Sequence, residues 1–202
     1  MFLPEMTNCI SSDWVHLNNV LGLYEGNFFI KKISERARDL KIWVALGSVA
    51  VKVNRTDERY VNRSILINSN GGIVAWYDKI HMFDVTISDT ESYQESKHYQ
   101  QGKHAVLAQT PWANIGLTIC YDLRFAGLYR TLAKSGAQIL TAPAAFTCST
   151  GKAHWHTLIK SRAIETGCFL IASAQTGEHP GSNRKTYGHS LIVNPWGEVI
   201  LD

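Results

Sequence analysis

Three side chains of complementary chemistry lie at the ends of predicted strands, although they are far apart in the sequence. Cys120 directly follows an apolar run, Lys79 ends another, and Glu5 lies beside Pro4 near the start of the chain. A cysteine nucleophile needs a base to take its proton and a group that stabilises an oxyanion, and a carboxylate and an ammonium can fill these roles. Together the three residues predict nucleophilic catalysis.

Cys120 has the most informative position of the three. It lies between an apolar strand pattern and a helical pattern, so its side chain is expected to face the positive end of the following helix, which favours a thiolate. The alternative is a buried cysteine that acts as a small apolar side chain.

The other polar residues say little by themselves. Lys79 alone is typical of a solvated surface charge, Glu5 alone is typical of a turn residue, and Glu95 is equally uninformative. For His81, two residues after Lys79, we expect a hydrogen-bonded structural histidine rather than a catalytic one. The hypothesis therefore depends on the combination and not on any single position.

The elements that must position these residues alternate between apolar, β-branched runs and amphipathic helical patterns. Strands are predicted over residues 43–51, 61–68, 73–78, 115–119, 138–142, 169–174, 190–193 and 199–201. Helices are predicted over residues 29–41, 125–135 and 154–166. The order indicates an α/β layered fold with a mixed sheet or with two sheets packed together.

Composition narrows the class of protein further. The chain has 202 residues, of which 45% are hydrophobic and 18% charged, so we expect one globular domain over residues 1–202. A formal net charge of +3 without a basic run argues against a nucleic-acid partner. No apolar stretch is long enough to span a membrane. Four scattered cysteines without a CxxC pair favour free thiols in a reducing cytoplasm.

Three short motifs resemble those of the nitrilase superfamily of carbon–nitrogen hydrolases. Residues 3–5 resemble its glutamate motif, residues 77–81 its lysine motif, and residues 119–125 its cysteine motif. They occur in the order that the superfamily uses, and the resemblance extends over essentially the whole chain. Further segments resemble the Nit branch, namely residues 91–96, 144–155, 162–166, 187–190 and 194–197. Residues 174–177 resemble the deaminated glutathione amidases more than the ω-amidases.

The resemblance implies a fold and a reaction. The family fold is a four-layer α-β-β-α sandwich that usually dimerises, and its members hydrolyse amides without a metal or cofactor. Carried over to this chain, Cys120 attacks the amide carbonyl and forms a thioester, while Glu5 transfers the proton. Lys79 and the backbone N–H of Tyr121 hold the oxyanion, and Glu95 orients Lys79.

Three residues are candidates for the substrate side of the site. Arg124, four residues after the nucleophile, can grip a substrate carboxylate through its guanidinium, or it can form a salt bridge with Asp122. Phe146 and Thr150 flank the segment that resembles the substrate loop, although Phe146 alone is equally typical of a core residue. The polar loop over residues 181–185 is either a solvated hairpin tip or a lid that selects acidic substrates.

Several alternatives remain open at this stage. His154, His156 and Cys148 suggest a metal site, but residues two apart on a helix do not share a face, so no metal is expected there. An ω-amidase, an N-carbamoyl hydrolase and a nitrilase share the same triad. Relative to the family, the chain is expected to lack elements at both ends, so a non-catalytic remnant that serves as an interaction module is the alternative from another class. A redox-active thiol ranks behind both.

Overall fold

The computed structural model describes residues 1–11, 13–54, 56, 58–89, 91–179 and 184–202. Within these residues the chain forms four α-helices, α1 (Trp14–Val20), α2 (Phe28–Leu40), α3 (Ala126–Lys134) and α4 (Cys148–Thr166). Short 3-10 helices occupy Glu95–Lys97 and Cys120–Arg124. None of the described helices combines the length and the apolar character that crossing a membrane requires.

The described strands are short and are numbered in chain order. They are β1 (Val44–Val51), β2 (Tyr60–Ile67), β3 (Ile73–Asp78), β4 (Asp84–Ser88), β5 (Glu91–Gln94), β6 (Tyr99–Gln100), β7 (Val106–Gln109), β8 (Asn114–Leu117), β9 (Ile139–Thr141), β10 (Phe169–Ala172), β11 (Thr176–Glu178), β12 (Lys185–Tyr187), β13 (Leu191–Val193) and β14 (Val199–Leu201).

The strands form two main sheets and two separate hairpins. The first sheet has the order β1-β2-β3, with β6 parallel to β2. The second has six strands in the order β14-β13-β10-β9-β8-β7, and its pairs β8–β9 and β9–β10 are parallel. The hairpins are β4–β5 and β11–β12. The combination of parallel and antiparallel pairs confirms the mixed α/β arrangement predicted from the sequence.

The core shows how the layers are stacked. Helix α2 buries Ile30 and Ala37 against apolar residues on one face of the first sheet. On the opposite face Ala45 and Leu66 contact Ala108 of the second sheet, whose outer face packs against α3 and α4. The layers therefore run helix, sheet, sheet, helix, which agrees with the four-layer sandwich that the resemblance implies.

Most predicted elements are present, but α4 begins earlier than we expected. The predicted start at residue 154 is wrong, because the helix already begins at Cys148, where the Thr147 side chain accepts a hydrogen bond from the Thr150 N–H. Gly151 does not break the helix. A Cβ atom at Gly151 would lie 2.4 Å from the Tyr187 side chain, so this glycine permits close packing and not a turn. Thr150 consequently lies in the first turn of α4.

The N-terminal segment lies along the outer edge of β1. The Leu3 N–H donates to the Ala45 carbonyl at 2.9 Å, and the Ser48 N–H donates to the Pro4 carbonyl at 3.1 Å. A Cβ atom at Gly47 would lie only 1.9 Å from the Leu3 carbonyl oxygen. The absence of a side chain at Gly47 therefore lets this segment approach β1 and fixes where the next residue, Glu5, is placed.

Candidate active site

Glu5, Lys79 and Cys120 meet in the structure, although 115 residues separate the first from the last. Lys79 follows β3, and its Nζ lies 3.1 Å from Glu5 Oε1. The Cys120 thiol is hydrogen-bonded to the Glu5 carboxylate. All three side chains are buried. The nucleophile, base and cation that the motifs predict thus form one hydrogen-bonded group.

Three further residues, Glu95, Asn62 and Ala145, complete the surroundings of Lys79 and Glu5. Glu95 lies 3.0 Å and 2.8 Å from Lys79 Nζ through its two carboxylate oxygens, and it also accepts a hydrogen bond from the Phe83 N–H at 2.7 Å. Asn62 Nδ2 donates to Glu5 Oε1 at 2.9 Å. The Ala145 N–H donates to Glu5 Oε2 at 2.9 Å. Both oxygens of Glu5 are thereby held, and Lys79 bridges two carboxylates.

Opposite charges decide the ionisation of Glu5 and Lys79. Burial alone would raise the pKa of Glu5, but the Lys79 charge and the hydrogen bond from Cys120 outweigh it and lower this pKa. Burial likewise opposes a charge on Lys79, yet Glu5 and Glu95 raise the pKa of Lys79 well above its ordinary value. Both groups therefore carry their charges at neutral pH.

Cys120 behaves differently from the sequence-based expectation. Burial and the negative charge of Glu5 raise the pKa of its thiol well above the ordinary value, and Lys79 offsets this only in part. The predicted preference for a thiolate is wrong, because burial and the Glu5 charge outweigh Lys79 and only a five-residue 3-10 helix begins at Cys120. The resting site holds a thiol that donates to a carboxylate.

The backbone at Cys120 is itself unusual. Its φ of 49° lies in the left-handed region, which non-glycine residues seldom adopt. The Cys120 N–H donates to the Pro143 carbonyl at 2.9 Å, which ties the turn to the end of β9. This conformation places the thiol on the side where Glu5 and Lys79 lie, as strained turns at catalytic nucleophiles do elsewhere.

Asp122 joins the cysteine segment to the lysine segment. Its fully buried carboxylate accepts hydrogen bonds from the Tyr77 hydroxyl at 2.7 Å and from the His81 N–H at 3.1 Å. It also accepts from the Ile119 N–H at 2.8 Å. Tyr77 and His81 flank Lys79, so one carboxylate sets the distance between Cys120 and Lys79. His81 has the structural role expected for it, since its Nδ1 also contacts Asp122 at 2.7 Å.

A cleft of about 910 Å³ opens onto the three buried residues. Tyr121, Phe146 and Thr150 line it, and Phe146 also belongs to the core beneath. Arg124 is not among the residues that line the cleft. Its Nη2 lies 3.2 Å from His154 Nδ1.

The alternative predicted for Arg124, a salt bridge with Asp122, is not borne out by the structure. The Asp122 carboxylate is bound by other donors, and no ion pair between Arg124 and Asp122 occurs among the described residues. Among the described residues, the cations that line the cleft are Lys79, Lys97, Lys185 and one arginine, Arg184. Its Nη2 donates to the Ala145 carbonyl, and its guanidinium carbon lies 5.5 Å from the centre of the Tyr93 ring. Of the predicted loop over residues 181–185, positions 181–183 lie outside the described residues.

Sequence reasoning missed three of these residues. Asn62 and Arg63 interrupt the apolar run of β2, and a polar pair inside a buried strand was a usable signal for Asn62. Asp122 was considered only as a partner of Arg124. Arg184 lies in the polar loop over residues 181–185, which the sequence suggested as a lid for acidic substrates without singling out this arginine.

Comparison with known proteins places this geometry in context. The family model described as "Carbon-nitrogen hydrolase" matches residues 1–202. The deaminated glutathione amidase of Yersinia enterocolitica is 44% identical over 171 residues, which cover 84% of this chain and 59% of that protein. The human deaminated glutathione amidase is 38% identical over 205 residues, covering 98% of this chain and 61% of that protein. The chain thus spans about three fifths of the length of these relatives.

Solved structures agree with the sequence comparison. The Caenorhabditis elegans NitFhit protein superposes with a TM-score of 0.91 at 38% identity, over 98% of this chain and 48% of that one. Saccharomyces cerevisiae Nit3, described as a member of branch 10 of the nitrilase superfamily, superposes with a TM-score of 0.84 at 28% identity. That match covers 98% of this chain and 70% of the yeast chain.

Proposed function

The chain belongs to the carbon–nitrogen hydrolase family, and from this premise we propose that it is a cysteine-dependent amidase. The observation that carries the proposal is the contact of the Cys120 thiol with the ionised carboxylate of Glu5. The oxygens of this carboxylate also accept hydrogen bonds from Lys79, Asn62 and the Ala145 N–H. A neutral thiol beside a carboxylate is ready to lose its proton as the sulfur attacks.

In the first half of the reaction, Cys120 Sγ attacks the amide carbonyl carbon and its proton passes to Glu5. The carbonyl oxygen becomes an oxyanion, which Lys79 Nζ and the N–H of Tyr121 stabilise. Glu5 then gives the proton to the amide nitrogen. The C–N bond breaks, ammonia leaves, and a thioester to Cys120 remains.

In the second half, water takes the place of ammonia. Glu5 accepts a proton from this water as its oxygen attacks the thioester carbonyl, and the same oxyanion donors act again. The C–S bond then breaks, the acid is released and the thiol regains its proton. Glu95 takes no part in proton transfer. It holds Lys79 through two hydrogen bonds of 3.0 Å and 2.8 Å, so that the ammonium stays near the oxyanion.

The substrate that we propose is a small amide that carries a carboxylate, such as deaminated glutathione. The cleft combines the apolar ring of Phe146 and the hydroxyl of Thr150 with the guanidinium of Arg184. A guanidinium pairs well with a carboxylate because two N–H donors match its two oxygens. Lys97, Lys185 and Arg184 line the cleft and Arg124 does not. Of these three, only Arg184 offers paired N–H donors, so we assign the carboxylate contact to Arg184. The role of Arg124 stays a prediction from the family resemblance.

We expect the two arginines to differ in a direct comparison. Arg184→Met should raise KM for a carboxylated amide by about 10- to 100-fold, the effect of losing a charged hydrogen bond, and leave turnover of a neutral amide unchanged. The measurement is kcat and KM on both amides for Arg184→Met and Arg124→Met. If only Arg124→Met raises KM for the carboxylated amide, the carboxylate contact belongs to Arg124. If Arg184→Met impairs hydrolysis of both amides, its effect is structural.

We also propose that the protein acts in the cytoplasm as a homodimer. All four cysteines are free thiols in the structure, and a reducing compartment keeps such thiols free. Support for a dimer comes from exposed apolar side chains near the end of α4 and on the β13–β14 turn. Ile164 is 58% exposed and Trp196 is 83% exposed. Exposed apolar side chains that lie together are typical of surfaces that bind a partner.

The test of the proposed function is ammonia release from a short panel of amides. The panel holds deaminated glutathione, α-ketoglutaramate, a carbamoyl amino acid and a simple nitrile. We expect turnover of deaminated glutathione by the wild type and less than a tenth of it in Cys120→Ala, with both proteins folded by circular dichroism. Faster turnover of another panel member would show that this compound is the better substrate and that the protein belongs to the corresponding enzyme class, an ω-amidase, an N-carbamoyl hydrolase or a nitrilase.

The panel also tests the alternative from another class. Folded, monodisperse protein that turns over none of the four compounds would favour a non-catalytic remnant that serves as an interaction module. Residual activity of Cys120→Ala above a tenth of wild type would rule out Cys120 as the nucleophile.

A further inference from the structure

Three side chains with metal-binding groups meet on the surface away from the cleft. His156 lies on α4, His189 lies just before β13, and Asp202 follows β14. His156 Nε2 is 3.1 Å from Asp202 Oδ2, and His189 Nδ1 is 2.7 Å from Asp202 Oδ1. One ligand atom from each side chain lies within 4.8 Å of the others. None of the three residues takes part in the proposed reaction.

We propose that His156, His189 and Asp202 form a binding site for a divalent transition-metal ion, with Zn²⁺ as the expected occupant. Two imidazoles and one carboxylate are a ligand set that Zn²⁺ favours, and three protein ligands leave a fourth position for water. Ca²⁺ and Mg²⁺ fit poorly, because they prefer oxygen ligands throughout.

The geometry requires only small movements of the side chains. Zinc bound at about 2.0–2.2 Å in tetrahedral geometry separates neighbouring ligand atoms by roughly 3.4 Å. The two hydrogen-bonded separations of 2.7 Å and 3.1 Å are shorter than that value, and no pair of the ligand atoms is more than 4.8 Å apart. The side chains are 34%, 43% and 40% exposed in chain order, so an ion and its water can reach them from solvent.

Neighbouring groups hold the two imidazoles in place. The His189 carbonyl accepts a hydrogen bond from Trp155 Nε1 at 2.7 Å, and the Tyr187 and His189 rings lie 4.7 Å apart. The His156 ring contacts the His189 ring with a centroid distance of 5.1 Å. Such supporting contacts fix ring orientation in metal sites. A bound ion would join α4 to the β13–β14 hairpin, so binding should stabilise the folded state.

The experiment measures zinc binding in a Cys120→Ser background, which removes the buried thiol as a competing ligand. Calorimetric titration with zinc chloride should give one ion per chain. Adding His156→Ala or His189→Ala should weaken binding at least tenfold, whereas His104→Ala, which removes an exposed histidine elsewhere, should leave it unchanged. Zinc should raise Tm of the Cys120→Ser protein and leave Tm of the His156→Ala double variant unaltered.

Two outcomes would overturn the proposal. Zinc affinity that is the same with and without His156 would show that the three side chains form a hydrogen-bonded cluster only. A cobalt-substituted protein with thiolate charge-transfer absorption would place the ion at a cysteine. Because no readout depends on amide hydrolysis, this result and the result of the amide panel are independent.

Discussion

At the scale of single residues, Glu5 is the most densely contacted group of the site. Its carboxylate accepts from Lys79, Asn62, the Ala145 N–H and the Cys120 thiol. Among these donors only the thiol sulfur is a nucleophile for a carbonyl carbon. In its resting state the site therefore holds a neutral thiol beside a carboxylate, in contrast to cysteine enzymes that rest as a thiolate beside a cation.

The first prediction concerns the pH dependence of the thiol. Because burial and Glu5 raise the pKa of Cys120, alkylation of Cys120 by iodoacetamide should still increase with pH above pH 9. Peptide mass spectrometry over a pH series measures this for each of the four cysteines separately. Glu5→Gln removes one cause of the shift and should move the alkylation curve to lower pH. A wild-type rate that is already constant below pH 8 would contradict the proposed resting state.

The same pair sets the acid limit of activity and stability. The folded-state pKa of Glu5 lies below its ordinary value of 4.5, so ionised Glu5 favours the folded state above that pH. This contribution is lost as pH falls through the lowered pKa. We expect kcat/KM and the free energy of unfolding to decline together there, measured by ammonia release and by urea titration. A decline of kcat/KM centred above pH 6 would exclude Glu5 as the ionised base.

Lys79 provides the third residue-scale prediction. Lys79→Met removes an oxyanion donor and leaves Glu5 and Glu95 without their shared cation, so kcat should fall by about 100-fold or more and stability by about 3–5 kcal/mol. The matched control is Lys32→Met, because the Lys32–Glu35 pair is exposed and should contribute no more than about 1 kcal/mol. A change in KM alone would contradict the oxyanion role of Lys79.

The three side chains that we propose to react can be predicted from the sequence, but the residues that hold them in place cannot. Cys120, Lys79 and Glu5 lie in local motifs, and residue type and order are enough to propose them. Asn62 and Asp122 act through contacts with residues 57 and 45 positions away. Such pairings depend on how strands are arranged in the sheets, and a single sequence does not specify that arrangement.

At the scale of elements, backbone packing positions the base. The segment that carries Glu5 lies on β1 because Gly47 has no side chain, and the Met6 N–H is then held by Ser48 Oγ at 3.0 Å. The register of β1 and β2 shifts between Leu46 and Val49, next to this contact. A local irregularity of this kind is typical of places where a sheet adapts to a functional group.

The prediction for this contact is the effect of one added methyl group. Gly47→Ala places a Cβ atom 1.9 Å from the Leu3 carbonyl oxygen, so the segment must move away from β1. A displacement of about 1 Å at the base should lower kcat by roughly 100-fold. The control is Gly127→Ala on α3, where nothing lies within 4 Å and where alanine should stabilise by up to about 1 kcal/mol. If Gly47→Ala keeps the wild-type kcat, this contact does not position the base for catalysis.

The elements that the sequence misses share a physical cause. Strands β4 and β5 are only five and four residues long and half exposed. Val85 and Ile87 alternate with polar residues in β4, but so short a run is a weak signal, and β5 has a single apolar side chain. Helix α1 buries only Leu17. Long or buried elements such as β1, β2 and α2 were predicted within one residue at each end, because burial imposes a visible pattern on their sequences.

At the scale of the whole molecule, the active site lies where the two sheets meet. Glu5 comes from the edge of the first sheet, Lys79 follows β3 of the same sheet, and Cys120 follows β8 of the second sheet. Asp122 links the two sheets through Tyr77 at 2.7 Å. The distance between nucleophile and cation is therefore a property of how the sheets pack, and a core mutation that shifts one sheet should affect kcat.

The proposed dimer gives a prediction at the same scale. Trp196→Glu places a charge on the exposed apolar surface beside Ile164, so association should weaken because the charge loses hydration on contact. Sedimentation equilibrium should show a dimer for the wild type and a Kd at least tenfold higher for the variant. The exposed Trp112→Glu, near β7 and β8, is the control. A wild type that remains monomeric at high concentration would reject the dimer.

The segment over residues 1–7 that lies along β1 also covers the free edge of the first sheet. An uncovered edge presents unpaired backbone groups to which a second chain can add a strand. When this segment detaches, the molecule loses Glu5, the general base that we propose, and exposes that edge in the same event. Loss of turnover and aggregation thus both start from the detachment of this segment from β1. During storage, the active fraction should therefore track the fraction of monodisperse protein, with few intact but inactive molecules accumulating.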